Sequence, residues 1–154
     1  DWSSDVCSSD LVSGDEYGVV SANGADGTLM WKFKTGGAVT AVRGFRDDVI
    51  VLSRDNFVYS LKLRNGGLRW KRRLLGRAAW NALWGQYLFV AVNDQQGASL
   101  VELTTGRLVG QLALDNGDTI TVGPVVGGDA LVLATGSSID SFSVSGCGEK
   151  RNGP

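Results

Sequence analysis

A turn glycine returns in this sequence at intervals of about forty residues, and that recurrence constrains the fold more than any other feature. Three segments align without strain: Val19–Trp31, Val58–Trp70 and Ala98–Gly110. Gly27, Gly66 and Gly106 lie 39 and 40 residues apart, and the closing positions Trp31, Trp70 and Gly110 keep the same two intervals. Apolar stretches recur at a similar period, at Val49–Leu52, Tyr87–Val92 and Ala130–Ala134. Each follows a short polar or glycine turn: Arg46-Asp47-Asp48, Gly85-Gln86 and Gly127-Gly128-Asp129. Each precedes a further turn and a strand such as Phe57–Leu63 or Ser138–Val144. A repeat of this size is one supersecondary unit that buries its apolar surface only against its neighbours.

The local chemistry favours strands. Phe57, Tyr59, Leu61 and Leu63 alternate with Val58, Ser60, Lys62 and Arg64, the period of two of a β-strand. Asn65-Gly66 supplies residues suited to a tight hairpin, where positive φ is needed. Leu68, Trp70, Arg72 and Leu74 form one face of the next strand and Arg69, Lys71 and Arg73 the other. Asn116-Gly117 marks a turn between Leu112–Leu114 and Thr119–Val122. The 22 glycines against two prolines fit many short strands joined by turns. No segment shows a capped i, i+3, i+4 apolar pattern. Forty residues holding about four short strands is the pattern of a propeller blade. A sandwich or barrel uses similar strands but gives no reason for the regular recurrence. The expected fold is therefore all-β: a partial β-propeller over residues 12–145, about three four-stranded antiparallel blades of a larger propeller.

The segment ending Asn65-Gly66-Gly67-Leu68-Arg69-Trp70 resembles the pyrroloquinoline-quinone (PQQ) type repeat, whose signature runs Ala-x-Asp-x-x-Thr-Gly-Lys-x-x-Trp. Thr105-Gly106-Arg107 keeps the Thr-Gly-basic step but has Gly110 at the tryptophan position. Asp26-Gly27-Thr28-Leu29-Met30-Trp31 keeps the glycine and the tryptophan, while Lys62 and Glu102 replace the aspartate. The resemblance covers roughly residues 17–144, and it lies more in the spacing than in any single residue. It implies that Trp31 and Trp70 dock between adjacent blades, not against a ligand, and that the Gly110 interface is weaker or filled from elsewhere. Trp80 and Trp84 lie off the repeat positions and are the better ligand candidates.

The ends are set apart. Residues 1–11 have neither the basic start nor the apolar core of a signal peptide. They resemble a sequencing adapter translated in one frame and are expected to be an artefact. Residues 1–11 hold three of the 16 acids and none of the 15 bases, so 13 acids face 15 bases in the remainder, about +2. That near-neutral charge gives no argument for nucleic acid. No run approaches the ~20 apolar residues of a membrane-spanning helix, so direct membrane insertion is not expected. With Cys7 set aside, Cys147 has no partner for an internal disulfide. The polar, glycine-rich residues 146–154 read as a disordered tail.

Motifs for chemistry are sparse. The chain has no histidine, which removes His-based acid–base chemistry and most zinc sites. Asp115-Asn116-Gly117-Asp118 resembles part of a calcium loop, but Val126 stands where the closing acid belongs, so it reads as a turn. The basic run Arg69–Arg73 with Arg77 spreads over both strand faces and reads as a solvated edge. Asn93–Gly97 has the composition of a ligand loop and equally of a simple turn. No P-loop, dinucleotide fingerprint or nucleophile elbow occurs. No catalytic and no metal residue is assigned, and cofactor-binding residues stay open.

Three functional expectations follow from the resemblance. The first is a non-catalytic scaffold for protein partners without a cofactor, similar to the outer-membrane assembly propeller lipoproteins of bacteria, in the periplasm or at the outer membrane. The second is the C-terminal fragment of a PQQ-dependent dehydrogenase, with PQQ and calcium bound by blades upstream. The third is the sensor propeller of a larger protein. Three blades alone cannot close in the usual way, so as an isolated fragment the chain is expected to associate.

Overall fold

A computed structural model describes residues 11–92, 97–114 and 118–143. The expected adapter segment, apart from Leu11, and the expected tail lie outside them. The described residues contain fourteen strands and no helix, arranged as four antiparallel sheets. The chain divides into two compact units at Ala78/Ala79.

The first unit holds two sheets. One contains β1 (Leu11–Gly14), β2 (Val19–Asn23) and β3 (Leu29–Lys34), in that order. The other contains β4 (Val39–Phe45), β5 (Asp48–Ser53), β6 (Phe57–Lys62) and β7 (Leu68–Arg73). Strand β5 is buried along nearly its whole length. A strand covered on both faces shows a continuous apolar run in place of alternation, which is why Val49-Ile50-Val51-Leu52 carries no polar residue. Val20, Ala22 and Trp31 of the first sheet pack with Val49, Val51, Tyr59 and Leu61 of the second. Phe33 meets Tyr59 edge-on, with ring centroids 5.6 Å apart.

The second unit repeats this plan. The strands β8 (Ala78–Trp84), β9 (Tyr87–Val92), β10 (Gly97–Glu102) and β11 (Leu108–Ala113) form one sheet, in the order β11-β10-β9-β8. Strands β12 (Ile120–Gly127), β13 (Ala130–Thr135) and β14 (Ile139–Ser143) form the other. Its core joins Trp84, Phe89, Ala91 and Ala98 to Leu131 and Leu133.

The four-strand meander matches the expected blade, and four sheets stand where the repeat implied about three. The repeat was counted on the turn carrying Gly27, Gly66 and Gly106. That turn joins β2 to β3, β6 to β7 and β10 to β11, and the sheet β12–β14 does not include it.

The hairpins also repeat. Arg46, Gly85 and Gly128 each open a two-residue turn with positive φ, at 52°, 59° and 57°. Positive φ at the first central position only is the type II′ geometry, whose twist suits the flanking strands. Asn65-Gly66 behaves differently from the expected tight hairpin. Only Gly66 has positive φ, at 71°. The amide of Gly66 donates to Lys62 O at 2.8 Å, and the register slips between Ser60 and Leu61. This is a longer turn that closes on a glycine bulge.

Candidate functional site

The repeated turn and the position four residues after it set the packing inside each unit. Gly27, Gly66 and Gly106 all have positive φ, at 81°, 71° and 71°. Each turn is followed by a register slip in its hairpin. Trp31 is buried, and its Nε1–H donates to the carbonyl of Leu63 at 2.7 Å. Its ring covers Gly66 so closely that an added Cβ there would lie 2.5 Å from Cε3. Trp31 thus docks one sheet on the turn of the next, as the resemblance implied. Trp70, at the same place in the second sheet, is half-buried on edge strand β7.

Gly110 takes this place in the third sheet. The cross-strand neighbours are Ala22 for Trp31, Ser60 for Trp70 and Leu100 for Gly110. The two tryptophans face small residues, and the glycine faces a large one. Leu100 does not restore the lost volume: a cavity of about 250 Å³ remains, lined by Trp84, Phe89, Leu100, Leu112 and Phe142 with Gly110 at its wall. Ser99, Gln111 and Ser143 also border it.

The two tryptophans read as ligand candidates separate. Trp84 is only 5% exposed, and its Nε1–H donates to Asp129 O at 2.9 Å. It is therefore a structural anchor between β8 and the β12–β13 turn, and its ring also forms part of the cavity wall. Trp80 is 40% exposed and lies against Gly123, where an added Cβ would come within 2.5 Å of its ring.

A second repeated feature faces solvent. Leu29, Leu68 and Leu108 each begin the last strand of their sheet, β3, β7 and β11, and are 54%, 46% and 45% exposed. Among the described residues, each of those strands has a hydrogen-bonded neighbour on one side only. The leucines hold equivalent positions, two residues after Gly27, Gly66 and Gly106. Such an edge sets an apolar side chain beside the outer backbone of its sheet.

The polar groups serve the turns. Asp55 accepts from the amides of Gly36 at 2.9 Å and Phe57 at 3.1 Å and from the Tyr59 hydroxyl. Burial works against its charge, but the hydrogen bonds from Tyr59, Ser53, Gly36 and Phe57 outweigh it and hold the carboxyl below its ordinary range. Burial and the Asp55 charge push the Tyr59 hydroxyl up to about 12. Asp118 accepts from Thr119 N at 3.0 Å, Gly136 N at 2.8 Å and the Ser137 hydroxyl. Hydrogen bonds from Ser137 and Thr135 lead in lowering it to about 2. Both acids tie a linker between sheets to a hairpin turn: Asp55 from the turn, Asp118 from the linker.

The basic run lies on edge strand β7. Arg69 pairs with Asp48, and Lys71 Nζ lies 5.3 Å from the centroid of the Phe57 ring. Asn93–Gln96 and Asp115–Gly117, read as a possible ligand loop and calcium-like turn, lie outside the described residues. Among the described residues no group of three or more Cys, Asp or Glu is placed to hold a metal, and no helix is long and apolar enough to cross a membrane.

No protein-family model and no curated protein matches the sequence. Solved structures do match in fold. The chain is similar to BamB from Moraxella catarrhalis at a TM-score of 0.70 and 20% identity, over 89% of this chain and 47% of that one. It is similar to the β-propeller domain of Cps50 (Swd1) from Myceliophteria thermophila at a TM-score of 0.69 and 15% identity, over 88% of this chain and 48% of that one. It is also similar to BBS1N, solved in complex with ARL6DN, at a TM-score of 0.66 and 19% identity, over 87% of this chain and 44% of that one. The chain spans about half the length of each. Its sheets are those of a β-propeller.

Proposed function

We propose that this chain is part of a non-catalytic propeller that binds protein partners, working in the bacterial cell envelope and without PQQ or calcium. The observation that carries the reading is the repeated exposed leucine at the head of edge strands β3, β7 and β11. An extended partner segment adds to such an edge through main-chain hydrogen bonds, while the leucine supplies a side-chain contact. The likeness to BBS1N in complex with ARL6DN supports protein binding. The envelope setting draws support from the PQQ-type spacing and from the likeness to BamB. Fold alone does not set function, so the reading is tested by chemistry. A photo-crosslinking residue at Leu68 or Leu108 should trap the same envelope proteins in living cells, and one at buried Val58 should trap none. Oxidation of alcohols or sugars by the purified full-length protein with PQQ and Ca²⁺ would overturn the reading in favour of a quinoprotein dehydrogenase.

A further inference from the structure

We infer that the cavity of the second unit is a binding slot for a planar, fused-ring aromatic of the indole class. The argument is an internal comparison. In the first unit, the cross-strand pair Ala22–Trp31 places an indole against Val49 and Leu61 of the next sheet. The ladders of the second unit put Leu100–Gly110 in place of Ala22–Trp31, and Leu131–Phe142 in place of Val49–Leu61. The interface is therefore present without an indole from β11, and the Trp84 ring, from β8, forms part of its wall.

The backbone does not require glycine at position 110. An added Cβ would meet only Leu100, at 3.6 Å, which is ordinary contact. The consequence of Gly110 is space. About 250 Å³ remains open although Leu100 and Phe142 are larger than their counterparts Ala22 and Leu61. An apolar cavity of about 150 Å³ is enough to accept a benzene ring, so this one has room for two fused rings. Trp84, Phe89, Leu112 and Phe142 give it aromatic and aliphatic walls. This assignment does not depend on the scaffold reading.

Calorimetric titration of the full chain with indole tests it. One saturable site is expected. Gly110→Ala should bind nearly as well, because it leaves most of the space. The double variant Leu100→Ala/Gly110→Trp rebuilds the Ala22–Trp31 pair and should weaken indole binding by about tenfold or more. Leu100→Trp, which fills the slot from the opposite strand, should do the same and serves where the double variant does not fold. Titration with N-acetyl-tryptophanamide separates two sources of the ring: its binding assigns the slot to a peptide-borne indole, and binding of indole alone assigns it to a free ligand. No saturable indole site in the wild type, or equal affinity in a folded, filled variant, overturns the inference.

Discussion

The ring of Trp31 covers Gly66, the turn glycine of the neighbouring sheet, so closely that an added Cβ would stand 2.5 Å from Cε3. One contact joins two copies of the repeat: the closing tryptophan of the first and the turn glycine of the second. Glycine is required at position 66 twice over, by its φ of 71° and by the ring above it.

Gly66→Ala should therefore destabilise the chain by about 2–4 kcal/mol, combining left-handed strain with an overpacked interface. Gly27→Ala is the control. Gly27 has a φ of 81° but no atom within 4 Å of an added Cβ, so only strain of about 1–2 kcal/mol is expected. Urea unfolding of both variants checks this. Equal losses would remove the ring from the explanation.

This pair also shows what the sequence makes legible. Glycine spacing betrays the turns because only glycine readily takes the backbone they need, and Val49–Leu52 betrays a central strand because both its faces are covered. Trp31 could be read as an interface residue because it closes a repeat. Trp84 could not, since its acceptor at Asp129 is 45 residues away and Trp84 itself lies off the repeat positions. The absence of a ring at Gly110 was plain, but the cavity depends on how far Leu100 and Phe142 reach, which no local pattern encodes. The exposure of Leu29, Leu68 and Leu108 was hidden for a related reason: period two tells the faces of a strand apart but does not show where its sheet ends.

Arg46 is the one non-glycine among the three equivalent hairpin positions Arg46, Gly85 and Gly128. Arg46→Gly should stabilise the chain by about 0.5–1 kcal/mol through relief of left-handed strain. The gain is limited by losing the guanidinium from over the Phe45 ring, 5.1 Å from its centroid. A rise in thermal midpoint is the expected readout, and a fall would mean that the cation–π contact outweighs the strain.

Asp118 links stability to acid. Its folded carboxyl takes up a proton near pH 2, whereas an unfolded aspartate does so near pH 3.9. Its contribution is complete above about pH 4 and is lost as pH falls toward 2. Asp118→Asn should flatten the stability profile across that window and leave its shape near pH 7 unchanged. Denaturant unfolding at a series of pH values measures this.

Tyr59 provides the alkaline counterpart. Its folded hydroxyl ionises at about 12, against about 10 in an unfolded chain, so its contribution is present below about pH 10 and fades toward 12. Absorbance titration should show a tyrosine ionising near pH 12, and Tyr59→Phe should remove that step.

Amide hydrogen exchange along the whole chain tests the blade architecture most directly. The slowest amides should fall in the central strands, at Val49–Leu52, Val58–Leu61 and Leu88–Ala91, where backbone is hydrogen-bonded on both sides and buried. Edge strands β3, β7 and β11 should exchange sooner, in the same order within each sheet. Uniform exchange across each sheet, or protection greatest at β3, β7 and β11, would contradict the repeated blade.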